Sequence, residues 1–313
     1  MRPLQKSIYM TNRIKRDEIK GKPLGYYHLS TDGLKDRKLF NSVAQYAYGM
    51  ILLGLIVLKY GIVIYAFSLM PNHIHLVIKA TGVNVLRSFD YLCRKLSARL
   101  VKDGYPPLDD YGFKLVEIKD KDHMKREIIY VLRNGFEKNF ATPGGYMWSS
   151  GWLHFSDMPR LVVGERASEL SKREIARRTG SVDLVPDDWR FHLVLGLLPC
   201  SFVDTSMVSR LFPTAKEFET ALVKDYEAYA KTARELDETV EYSPAEVKDI
   251  VVQALQKYFG GRELNELTQE DKCKLAVILS RTYMLESYQI SKSIYLKETI
   301  VRQCINSKEY RYL

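Results

Sequence analysis

Cysteine is scarce. There are four in 313 residues, at Cys93, Cys200, Cys273 and Cys304, and none falls in a CxxC spacing. That excludes a disulfide-dense secreted scaffold and a cysteine-rich zinc module, and a reducing compartment suits such a chain. An unbroken apolar run of spanning length is also lacking. The most apolar stretch, Ala47 to Leu58, meets Lys59 before Gly61 to Met70 resumes, so a buried helix followed by a buried strand explains it better than a membrane span. The basic lead MRPLQKSIYMTNRIKRDEIKGK holds no apolar core of the kind a secretory signal needs. A cytoplasmic protein with no membrane partner is therefore expected. Internal repeats and low-complexity tracts are absent.

What is present can build a core. Hydrophobic residues make up 46% and charged residues 27%, which excludes disorder, and the length suggests two domains. The net charge of +9 is unevenly spread. Residues 1–160 hold 25 Lys+Arg against 14 Asp+Glu, or +11, and the remainder holds 22 against 24, or −2. A basic first half predicts a polyanionic partner there, although an acidic small molecule would serve the same charge.

The patterning predicts a strand over Gly25 to Ser30, a helix over Lys38 to Leu58, and a hairpin made of Gly61 to Leu69 and His73 to Lys79 around Met70-Pro71-Asn72. An amphipathic helix over Asn84 to Lys102, a strand over Phe113 to Ile118 and a helix from Asp120 to Asn134, stopped near Gly135, follow. This is an α+β domain with an antiparallel sheet over residues 1–160. Residues 161–313 read as all-helical, with long amphipathic patterns at Thr214 to Ala233 and Pro244 to Tyr258. Three short helices with tight joints between 268 and 305 outline either a helix-turn-helix DNA reader or a plain helical bundle.

Two histidines stand out for chemistry. His73 and His75 are two apart on a predicted strand, so their side chains leave one face and can share an ion. The same spacing also arises on any polar strand face. With no cysteine near, a closed zinc site is disfavoured, whereas two imidazoles completed by an oxygen ligand suit Mg or Mn. Tyr130 and Asn134 are four apart on one helix face, with Glu127 one turn before them. By local pattern alone Tyr130 reads as an ordinary amphipathic core residue.

The text around these residues carries a resemblance. The run Tyr65-Ala66-Phe67-Ser68-Leu69-Met70-Pro71-Asn72-His73-Ile74-His75-Leu76-Val77-Ile78 resembles the metal-binding strand of the single-tyrosine, His-hydrophobic-His (HUH) transposases of bacterial insertion sequences, and most of all their REP-associated tyrosine transposase branch. Further blocks follow in that family's order. They are Gly25-Tyr26-Tyr27-His28, Leu39-Phe40, Gly112-Phe113-Lys114 with Ile118-Lys119-Asp120, Tyr130-Val131-Leu132-Arg133-Asn134, and Tyr146-Met147-Trp148-Ser149-Ser150. The likeness covers residues 5 to 155.

The resemblance implies a ferredoxin-like, RRM-like catalytic domain over residues 1–160, with His73 and His75 as metal ligands. Tyr130 is then the nucleophile and Asn134 the third ligand, with Glu127 as the alternative one. It also implies a divalent Mg or Mn ion and metal-dependent cleavage and strand transfer of single-stranded, hairpin-bearing DNA through a 5′-phosphotyrosine. The family usually has proline after the asparagine, where this chain has Gly135. Phosphate contacts are expected from Arg13, Lys15 and Arg16 in the lead and from Arg94, Lys95 and Arg99 on the helix after the hairpin, for which a solvated face is the alternative. A non-catalytic, domesticated hairpin binder and a hydrolytic metal-dependent phosphodiesterase are the rival functions. A homodimer and a monomer are both compatible with the sequence.

Overall fold

The computed structural model describes residues 15–34, 36–109, 111–135, 145–307 and 310; of the residues singled out above, Arg13 lies outside them. The described chain forms two compact units divided between Leu222 and Val223.

The first unit is built on a four-stranded antiparallel sheet of order β2-β3-β1-β4, from β1 (Gly25–Thr31), β2 (Val63–Leu69), β3 (Ile74–Ala80) and β4 (Phe113–Glu117). The predicted hairpin is β2 and β3, paired from Val63 with Lys79 to Leu69 with Ile74. Three helices complete the order. α1 (Val43–Tyr60) starts where the Ser42 hydroxyl accepts from the Gln45 amide and ends at Gly61, whose φ of 60° suits a residue without a Cβ. α2 (Gly82–Lys102) is capped by Thr81. α3 (Lys121–Arg133) is capped by Asp120, whose carboxylate accepts from the His123 amide at 2.8 Å, and stops at Asn134.

Strand alternation sorts the side chains into two layers. Tyr27, Leu29, Leu76 and Ile78 point into one core with α1 and α2, while Val77 joins Ile128, Ile129 and Val131 of α3 on the other side. Both faces are covered. β1 and β3 are therefore buried nearly throughout, and polar residues on the α3 face, His28, Ser30 and His75, are carried into the interior. A bulge between Ile64 and Ala66 shifts the alternation of β2, which places Tyr65 and Ala66 with the α3 layer and Phe67 and Leu69 with the other.

Residues 161–222 depart from the all-helical reading. Besides α4 (Met158–Leu161), α5 (Lys172–Thr179) and α6 (Ser206–Leu211), a small antiparallel sheet forms from β5 (Glu165–Arg166), β6 (Arg190–His192) and β7 (Gly196–Leu197). Its strands are two or three residues long, too short to leave a periodic signal. It packs on α1 because Gly54 has no side chain: a Cβ there would overlap Leu197 and press on the Trp189 ring. Trp189, Phe191, Leu197 and Phe202 thereby enter the main core, so the first unit runs to Leu222 and not to the expected 160.

The second unit is helical, as expected. The amphipathic pattern of Thr214 to Ala233 crosses the boundary and is broken into α7 (Ala215–Lys224), whose Phe218 and Leu222 belong to the first unit's core, and α8 (Tyr226–Leu236) by Asp225, which caps α8 by accepting from the Ala228 amide. α9 (Pro244–Phe259) opens on a Ser243/Glu246 capping box and closes at Gly260. α10 (Gln269–Tyr283), α11 (Ser287–Ile294) and α12 (Glu298–Asn306) are joined by three-residue links, with Met284 and Tyr295 left-handed at the helix ends. Cys273 of α10 and Cys304 of α12 are paired, with Cα atoms 5.5 Å apart. Sequence spacing gave no sign of that pairing. α1 is long and apolar enough to cross a membrane by length and composition, and half of it is buried within the protein.

Candidate metal centre and nucleophile

Alternation on neighbouring strands creates the site. His75 lies on β3 beside β1, where Ser30 is its register partner, and His28 sits two residues before Ser30 on the same face. His28 Nε2 is 3.1 Å from His75 Nδ1, and His75 Nε2 is 2.8 Å from His73 Nε2. His73, just ahead of the strand, has its Nδ1 2.8 Å from Asn72 Oδ1. The far end of the chain of imidazoles is a carboxylate: His28 Nδ1 is 2.5 Å from Glu127 Oε2 on α3. One helical turn earlier His123 reaches the other oxygen of Glu127 at 3.0 Å.

Protonation follows from the partners. Burial alone would raise the Glu127 carboxyl, but hydrogen bonds from His123 and His28 outweigh it and hold the group down to about 2. The carboxylate is thus an acceptor only, so His28 Nδ1 carries the proton. Burial, followed by repulsion from His73 and His28, keeps the His75 imidazole well below the usual histidine range and therefore neutral. Asn72 Oδ1, an amide oxygen, accepts from His73 Nδ1, and a single shared proton links His28 Nε2 with His75 Nδ1. The Nε2 atoms of His73 and His75 lie at hydrogen-bond distance from each other. Two ring nitrogens this close can serve one ion, and His73 and His75 both belong to a group of side chains able to hold a metal.

Tyr130 packs against these rings. Its ring centroid is 5.5 Å from that of His75, nearly perpendicular, and 5.9 Å from that of His28. It is 2% exposed. Asn134 closes α3, buried, with its Nδ2 donating to the Tyr130 carbonyl at 2.9 Å. Gly135 follows because the Tyr146 ring stands against it; a Cβ would approach that ring to 2.8 Å. Tyr146 in turn donates to the Leu69 carbonyl of β2 at 2.5 Å, which ties the end of α3 to the hairpin.

Sequence analysis brought His73, His75 and Tyr130 into view and gave His28 and His123 no role in the site. Both converge on Glu127, whose carboxylate is engaged by them rather than turned to the His73 and His75 pair. The signal available was slight: His28 on the inward alternation of an aromatic strand, and the four-residue spacing of His123 and Glu127.

Of the expected phosphate contacts, Lys15, Arg16 and Arg94 are exposed. Arg16 pairs with Asp90 of α2 at 2.6 Å and Arg99 with Asp103 at 2.7 Å, while Arg94 and Lys95 lie over the Tyr91 ring. Tyr27 is a core residue whose hydroxyl donates to the Pro23 carbonyl, and Tyr105 is exposed. No protein-family model, curated protein or solved structure matches the chain.

Proposed function

We propose that the chain is a single-strand DNA transposase of the single-tyrosine type, acting through Tyr130 with a divalent Mg or Mn ion on His73, His75 and Asn134. The observation that carries this reading is the packing of the Tyr130 ring on His75, whose Nε2 faces that of His73. Support also comes from the β-α-β-β-α-β order with strands arranged β2-β3-β1-β4, which fits a ferredoxin-like domain.

In the reaction the phenol oxygen of Tyr130 bonds to the scissile phosphorus as the bond to the 3′ oxygen breaks. A 5′-phosphotyrosine and a free 3′-OH result. A second 3′-OH reverses the exchange and joins strands, so no nucleotide cofactor is consumed. An ion held by His73, His75 and Asn134 would supply Lewis-acid stabilisation of charge on the phosphate oxygens. The carboxylate of Glu127 holds His28, and His28 holds the ring of His75, so the ligand ring is aimed by a buried chain. Attack requires the buried Tyr130 ring to become accessible. Lys15, Arg94 and Lys95 are the cations we assign to the DNA backbone, and the linked helices α11 and α12 are a candidate second DNA contact.

The burial of Tyr130 is also the observation that favours the non-catalytic hairpin binder as the second reading. Incubation with labelled single-stranded hairpin DNA and Mn or Mg, followed by denaturation, separates the readings. A covalent protein–DNA band is expected, absent in Tyr130→Phe, with binding retained. His73→Ala and His75→Ala should each lower the cleavage rate by orders of magnitude and abolish Mn binding in calorimetry. Free fragments without a band indicate a hydrolase, and a reversible shift alone indicates a binder.

A further inference from the structure

A second polar group lies buried elsewhere in the first unit. The block Tyr146-Met147-Trp148-Ser149-Ser150 is anchored to β2: Ser149 bridges Ser68, and the Ser150 hydroxyl and amide bond the amide and carbonyl of Phe67, each at 3.0 Å. Ser68 pairs on its other side with His75, so this anchor is one strand away from the imidazole pair. Met147 of this block, His154, Phe155 and Met158 just after it, and Phe218 and Glu219 of α7 line a cavity of about 400 Å³.

Three features give the cavity a chemistry. His154 is 94% buried, at 6% exposure, and its Nε2 has no hydrogen-bond partner, although a buried polar atom of this kind normally has one. Phe155 is left-handed at φ 51°, a conformation that phenylalanine resists, and still leaves 40% of itself exposed. Glu219 is an exposed carboxylate, which repels phosphate and accepts from amino groups. The volume falls within the range of small-ligand pockets, roughly 300–1,000 Å³. An aromatic face, one buried ring nitrogen and a rim acceptor match the flat face, ring nitrogens and exocyclic amine of a base.

We propose that this cavity receives one unpaired nucleobase of the DNA strand, stacked on Phe155, hydrogen-bonded by His154 Nε2 and read at its amino group by Glu219. Burial keeps His154 down to about 4, so at neutral pH the uncharged ring can donate or accept. The site rests on the reading of the chain as a single-strand DNA enzyme for its biological ligand, but the chemistry of the pocket can be probed alone.

The test uses the full chain with two probes: 2-aminopurine deoxyribonucleoside 5′-monophosphate, and hairpin DNA carrying 2-aminopurine at successive unpaired positions. Saturable quenching by the nucleotide, and at one position of the DNA, is expected. Phe155→Asn should weaken both by about tenfold or more with no loss of thermal stability, because asparagine tolerates the left-handed backbone. His154→Leu should weaken both as well, checked for folding by circular dichroism. No quenching with the wild type, or equal affinities for wild type and Phe155→Asn, overturns the proposal. An adduct on Tyr130 together with unchanged nucleotide binding in Phe155→Asn sinks the pocket and leaves the transposase. Nucleotide binding lost in Phe155→Asn without any adduct keeps the pocket and sinks the transposase.

Discussion

At the scale of single residues the molecule turns on Glu127. Burying an ionised carboxylate is unfavourable unless its oxygens are engaged, and here each oxygen meets a histidine. Glu127→Gln should cost about 1.5–3 kcal/mol in urea denaturation, since the hydrogen bonds from His28 and His123 lose their charged acceptor. The pH dependence follows from the same bonds. A carboxyl held at about 2 in the folded chain, against an ordinary 4.5, contributes stability that is complete above about pH 4.5 and is lost as pH falls towards 2. The acid limb of a melting-temperature profile should therefore be shallower in Glu127→Gln than in the wild type. Asn134 and Gly135 are legible at this scale only in part. The asparagine ends α3 as its spacing suggested, but the reason for glycine beside it, the ring of Tyr146, is remote in sequence.

At the scale of elements, close approach decides what packs. The helix α1 meets the small β5-β6-β7 sheet at Gly54, where the Leu197 and Trp189 side chains occupy the space a Cβ would need. Gly54→Leu should destabilise the first unit by more than the usual overpacking range of about 1–3 kcal/mol permits it to absorb, and Gly54→Ala by an amount within that range. Denaturant midpoints of the two variants check this. The main strands and helices were readable because each carries its own period, and Ser42, Thr81, Asp120, Ser243 and Thr268 accept from the backbone at the true helix starts, which moves the first helix from the expected Lys38 to Val43 and the second from Asn84 to Gly82. The strands of the small sheet carry no such period, and the break at Asp225 was hidden inside a continuous amphipathic stretch.

At the scale of the whole molecule the boundary is the lesson. Charge and pattern change near residue 160, yet Trp189, Phe191, Leu197 and Phe202 belong to the core of the first unit. A fragment of residues 1–224, which keeps α7 whole, should be soluble and retain Mn binding. One ending at residue 160 should aggregate, because the α1 surface around Gly54 loses its cover. Sedimentation and calorimetry on the two fragments distinguish them. In the second unit the 31-residue separation of Cys273 and Cys304 predicts a loss of about 3 kcal/mol or more on Cys273→Ser under oxidising conditions.

The sequence by itself determined what depends on neighbours along the chain. The hairpin, the shared face of His73 and His75, the stacking of Glu127, Tyr130 and Asn134 on one helix, and the helix ends all follow from periods of two and 3.6 residues. Tertiary structure alone decided which faces meet. His28 reaches His75 across 47 residues and Glu127 across 99, through a strand order that places β1 between β3 and β4. Local spacing repeats identically whatever lies opposite it, so a chain of hydrogen bonds between elements becomes visible only once the layers have closed on one another.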